Sequence, residues 1–163
     1  MPVTYEPIAR SALTGNQTDV TFSDISSNYT DLVLILNTGS STGAAAALMQ
    51  FNGDTGNNYS FIQMWGPNSS TAYSESHATA AYIDMQSVGT TVLHSNICNI
   101  MSYSQTSKYK GLITRAYDAN NNRWYQSLGT WRSTAAINQI RIYLNTGQFI
   151  AGSTFSLYGI KGA

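Results

Sequence analysis

The feature that most constrains this chain is its cadence. Short runs rich in β-branched, aromatic and aliphatic residues alternate along its length with clusters of Gly, Asn, Asp and Ser. Such punctuation limits each element to a few residues, which suits strands and is too short for stable helices. The runs fall at 3–9, 19–22, 30–38, 48–52, 59–65, 80–85, 91–103, 108–117, 123–131, 137–144 and 154–160. Their side chains set the faces. Residues 32–36 are continuously aliphatic, as in a strand covered on both sides. In 91–103, Leu93, Ile97 and Met101 share one face, while Val92, Cys98 and Ile100 share the other. Pro7 sits inside the first run, so that run is an edge strand or an extended arm.

Composition points the same way. Twenty Ser, eighteen Thr and fourteen Asn take the place of charge, which is down to 10% of residues. These side chains bond to nearby backbone and so compete with helix. Only residues 42–49, with four consecutive alanines, have the makings of a helical turn or two. Asn52-Gly53 and the cluster 118–122 each predict a hairpin between their flanking runs. The expected fold is all-β: an antiparallel, jelly-roll-like β-sandwich of about ten strands. It forms one domain over 1–163, with residues 1–10 as an N-terminal arm or edge strand.

Charge is balanced overall but not along the chain. Residues 1–107 carry seven acids and one base, and residues 108–163 carry seven bases and one acid. Interleaved early and late strands would neutralise this within one subunit. Complementary faces on neighbouring subunits would also do so, as would a nucleic-acid patch beside Trp124, Tyr125 and Trp131. A net charge of zero argues against a globally basic nucleic-acid binder. The opening lacks the basic and apolar segments of a secretory leader, and the longest strongly apolar run, 32–36, is far short of a membrane span.

Catalytic and metal chemistries find little to build on. There are two histidines, His77 and His94, and one cysteine, Cys98, with no G-x-S-x-G elbow and no Gly-rich phosphate loop. Cys98 lies between Ile97 and Ile100 and reads as a small buried residue. Asp118-x-Asn120-x-Asn122 imitates half of a calcium loop but has Arg123 where Gly belongs and Gly129 where the bidentate Glu belongs. Asp54 with Asn57 and Asn58 reads as a turn. A glycoside hydrolase would have to recruit Glu75. The expectation is therefore a non-enzyme without cofactor or metal. Eleven tyrosines with Trp65, Trp124 and Trp131 suit either a protein interface or the stacking of sugars.

Several segments carry a family resemblance. Residues 5–9 (Tyr-Glu-Pro-Ile-Ala), 19–22 (Asp-Val-Thr-Phe) and 29–34 (Tyr-Thr-Asp-Leu-Val-Leu) are similar to the start of small tailed-phage virion proteins. Residues 51–60 (Phe-Asn-Gly-Asp-Thr-Gly-Asn-Asn-Tyr-Ser) resemble the central motif of that group, and 151–161 its last strand. The group comprises head-decoration (cement) proteins and tail-fibre-associated relatives. The resemblance implies a structural protein on the virion exterior, made in the host bacterial cytoplasm. As a cement protein it would bind between major capsid subunits as a homotrimer, with neither nucleic acid nor membrane as partner. The N-terminal run would add a strand to a neighbouring sheet, making Val3, Tyr5, Pro7 and Ile8 the candidate interface. The alternative is a tail adhesin that holds host glycan on exposed Trp65, Trp124 and Trp131.

Overall fold

Burial alternates residue by residue along the strands. In β8 (His94–Met101), residues 94, 96, 98 and 100 are buried, and residues 95, 97 and 101 are exposed. This period of two means one face of the sheet is covered. A computed structural model describes residues 5–43, 45–67, 71–90, 92–118 and 122–161. It shows an antiparallel β-sandwich of twelve strands, with no helix among the described residues. The larger sheet has eight strands. Its spatial order is β1 (Tyr5–Ala12), β12 (Thr154–Ile160), β3 (Asp31–Thr38), β8, β9 (Lys110–Asp118), β10 (Arg123–Trp131), β5 (Tyr59–Pro67) and β6 (Tyr73–Ala80). The smaller has four: β2 (Asp19–Phe22), β11 (Ile140–Leu144), β4 (Ala45–Phe51) and β7 (Ile83–Val88).

The core lies between the sheets. Leu32, Leu34 and Leu36 of β3, Phe155 and Leu157 of β12, and Ile100 of β8 meet Met49 and Phe51 of β4, Ile140 and Ile142 of β11, and Ile83 and Met85 of β7. Cys98 is fully buried among them, and burial pushes its thiol pKa up, so it is an inert apolar filler. Close approach of the sheets requires Gly129 on β10. A Cβ there would lie 2.8 Å from Ile83 Cδ1 and 3.0 Å from Leu112 Cδ1.

Three local expectations are corrected. Residues 45–49 belong to strand β4, not to a helix. Ala45 and Ala47 are buried because small side chains fit where β4 faces the core, and pairing with β11 and β7 overrides alanine's helix propensity. Residues 73–80 form a strand, β6, that the pattern hid: the segment is polar and exposed, and pairing with β5 on one side makes it extended. Asn52-Gly53 does not close a hairpin. Phe51 ends a strand of the small sheet and Tyr59 begins one of the large sheet, so the turn crosses between sheets. The cluster after Asp118 does join two antiparallel partners, β9 and β10.

That inter-sheet turn is heavily bonded. Asn52 and Gly53 both have positive φ, which Asn and Gly tolerate best. The Asn52 amide donates to Ala136 O at 2.7 Å and accepts from the N–H groups of Asn138 (3.0 Å) and Gln139 (3.1 Å). The Asp54 carboxylate accepts from Trp131 Nε1 at 2.7 Å, Gly56 N at 2.9 Å and Asn58 Nδ2 at 3.0 Å. Phe51, Tyr59 and Trp131 pack as an aromatic cluster beneath it. Partial burial acts to raise the Asp54 pKa, but those three donors outweigh it and hold the carboxyl below its ordinary 3.8.

Two outcomes are expected. Gly129→Val overpacks the β10–β7 contact and costs about 1–3 kcal/mol in denaturant unfolding. Asp54→Asn removes a charge-assisted acceptor and costs about 1.5–3 kcal/mol at neutral pH. Because the folded Asp54 pKa is depressed, its contribution is complete above the unfolded value of 3.8 and is lost as pH falls through the lower folded value. Thermal unfolding across that acid range should therefore show a smaller loss of stability for Asp54→Asn than for the unmodified protein.

Candidate interaction face

The eight-stranded sheet has two faces, and only the inner one meets the small sheet. Strand register assigns the outer side chains to rows. Ile62, Leu128 and Ile113 are cross-strand neighbours on β5, β10 and β9. The next row holds Met64, Gln126, Arg115 and Ile97 on β5, β10, β9 and β8. A third pairs Trp124 with Tyr117, and Trp124 lies over the bare backbone of Gly66. Ile62 is 51% exposed, Leu128 46% and Trp124 49%, with Met64, Ile97, Met101 and Tyr117 also exposed. Contiguous apolar side chains on a rigid sheet mark an interaction surface more often than scattered ones do.

The surface is concave at one end. Gly111 stands between Thr130 and Met101 in the row below Ile113. With no side chain there, a depression of about 520 Å³ opens, walled by Ile62, Leu128, Ile113 and Met101 and reached by Ser76 of β6. Arg115 is the charged member of the central row, its guanidinium donating to Asn99 Oδ1 at 3.3 Å.

The residues singled out by sequence do not converge. Tyr5 and Pro7 are exposed on β1, while Ile8 is half-buried and packs against the core; Val3 lies outside the described residues. Residues 5–12 form strand β1 at the edge of the large sheet, paired with β12; residues 1–4 lie outside the described residues. The three tryptophans occupy three environments. Trp131 is 2% exposed, so the expectation of an exposed stacking residue there is corrected. Trp124 and Trp131 are seven residues apart on one strand, an odd spacing that puts them on opposite faces. Trp65 is half-buried on the inner side and stacks on Tyr73, with ring centroids 5.6 Å apart. The outer-face residues Ile62, Met64 and Leu128 gave a signal in the sequence: apolar residues at both parities of a strand mean that both faces seek cover.

Two late bases answer early acids. Arg141 Nε lies 2.8 Å from Asp19 Oδ2, and Lys161 Nζ lies 2.7 Å from Glu6 Oε1. The Lys161 bond holds the Glu6 carboxyl below its ordinary value. Lys110 is fully buried, its ammonium donating to the carbonyls of Gln105, Lys108 and Thr134. Arg132 donates to Ala78 O at 2.7 Å and to Asn57 O. The Arg141–Asp19 and Lys161–Glu6 pairs favour neutralisation within the subunit, whereas Lys110 and Arg132 are held by neutral carbonyls.

The histidines take unlike places. His94 is buried, with Nε2 3.2 Å from Asp118 Oδ1 but without hydrogen-bond alignment. His77 is exposed, stacked on Phe61 with centroids 4.5 Å apart and 2.6 Å from Glu75 Oε1. Among the described residues, no three His, Cys, Asp or Glu side chains gather as a metal set, and no helix is long and apolar enough to cross a membrane.

No family model matches this sequence, and no curated protein matches it. Among solved structures, the chain is similar to scytalido-glutamic peptidase with a peptide-based transition-state analog. That match is 12% identical and covers 87% of this chain and 74% of that one at a TM-score of 0.34. A likeness at that score carries no argument about activity.

Proposed function

We propose that this protein is a non-enzymatic virion structural protein, a head-decoration component that seats the outer face of its large sheet on the boundaries between capsid subunits. The observation behind this reading is the set of half-exposed apolar side chains on one face: Ile62, Met64 and Leu128 adjoin, Met101 lies beyond Gly111, and Ile97 lies beyond Arg115. Covering each such side chain contributes roughly 1 kcal/mol. Repetition over a lattice turns weak seats into firm attachment. The sequence resemblance to small tailed-phage virion proteins supports the same role, and the exposed Tyr5 and Pro7 on edge strand β1 give a second contact to the neighbouring shell.

A second reading rests on its own observation. Trp65 and Tyr73 stack across β5 and β6, and exposed Glu75 lies on the same side, opposite buried Gln63. Aromatic rings beside a carboxylate suit a pyranose, as a tail adhesin would need.

Heads lacking this protein, mixed with the purified chain, separate the two. Leu128→Glu combined with Ile62→Glu should leave the unfolding midpoint nearly unchanged, because both positions are exposed, and should lower head occupancy at least tenfold. Trp65→Ala should leave occupancy as it was. Full occupancy by the double variant overturns the seating face, and specific glycan binding lost in Trp65→Ala favours the adhesin.

A further inference from the structure

The sandwich has four sheet edges, and three of them are blunted. Strand β1 carries Pro7, a register shift between Pro7 and Ala9, and Arg10. Strand β2 has only four residues. Strand β7 is bulged against β4 and packs over the large sheet. Proline, bulges, charge and shortness are the usual means of keeping an edge from pairing. Strand β6 has neither Pro nor a bulge over residues 73–77, and the charge it carries there, Glu75, has its complement two residues on at His77. It has eight residues, no Pro and no Lys, and Tyr73 to Thr79 are exposed throughout. Its one irregularity is at Ala78–Thr79, opposite Ser60, where Arg132 binds the Ala78 carbonyl. Residues 73–77 are a regular, open edge.

The charge pattern of that edge is self-complementary. Glu75 and His77 flank Ser76, and both project from the inner side, opposite Gln63 and Phe61 of β5. We propose that β6 pairs antiparallel with β6 of a second copy of this chain, about a two-fold axis through Ser76. This register sets Glu75 opposite the partner's His77 and His77 opposite the partner's Glu75. An axis through Glu75 would oppose two carboxylates, and one through His77 would oppose two imidazoles; like charges directly opposite are destabilising. The side chains are already held for the purpose: His77 is stacked on Phe61 and bonded to Glu75 at 2.6 Å. Little ordering entropy remains to be lost on association.

The pairing joins two large sheets into one and sets their outer apolar faces side by side. It is isologous, so it closes at two copies, where the family resemblance implies three. It does not depend on the virion role, and although Ser76 and His77 border the depression on the outer face, it uses none of the apolar side chains Ile62, Met64, Leu128, Ile97 and Met101.

Sedimentation velocity over a range of protein concentrations tests the idea, with hydrogen exchange of the β6 amides as a second readout. The unmodified chain should pass reversibly from monomer to dimer, with residues 73–77 gaining protection as it does. Glu75→Lys should weaken the dimer at least tenfold, and Glu75→Lys with His77→Glu should restore it, because the exchanged pair is again complementary. Leu128→Glu should leave the dimer intact. A monomer at every concentration, a trimer, or a double variant no stronger than the single one overturns the proposal; retained dimerisation in a variant that no longer binds heads upholds it independently of the virion role.

Discussion

The sandwich depends on how its two sheets are held at the turn from Phe51 to Tyr59. This segment leaves the small sheet and enters the large one, so its conformation fixes their relative placement. Asn52 ties it to the segment before β11, and Asp54 ties it to Trp131 at the end of β10. Polar groups at such a crossing must be paired, since an unpaired buried donor or acceptor costs about 1–3 kcal/mol. Placed over the Phe51–Tyr59–Trp131 cluster, the bonds to Ala136, Gln139 and Trp131 are partly shielded from water, and the apolar packing gains a defined geometry in return. The motif that carries much of the family resemblance is thus a structural fastening.

Eight strands packed on four leave surface without cover. The small sheet satisfies the inner apolar face, through contacts as close as Gly129 with Ile83. It cannot reach the outer face, where Ile62, Leu128 and Ile97 stay half exposed, nor does it shield β6. An interaction protein needs such a division: an interior that supplies stability, and a separate rigid surface whose apolar groups are kept for a partner. Part of the uneven charge along the chain is matched on the surface of the same subunit. Antiparallel pairing of β1 with β12 and of β2 with β11 brings Glu6 to Lys161 and Asp19 to Arg141.

Much of this was legible in residue order because strand periodicity is local. The runs around β3, β10 and β12 showed their extent, and the run around β8 showed its two faces from Ile97 to Met101; Val92, grouped with Cys98 and Ile100, instead precedes the strand and is exposed. The rest was set by pairing. Residues 73–80 have no apolar alternation and become a strand only through β5. Alanines 45–47 are extended because β11 and β7 flank them. Hairpin chemistry at Asn52-Gly53 looks the same whether the next strand joins the same sheet or the facing one.

Residue order therefore settled the class of fold, the alternation of faces and the inert character of Cys98, since each follows from side-chain type and a period of two. It could not say which of two alternating faces looks outward. That choice made Trp131 a core residue and Trp124 a surface one, and it turned Ile62 and Leu128 into a candidate seat. It depends on where the small sheet comes to rest, and that position is set by contacts between residues far apart in the chain.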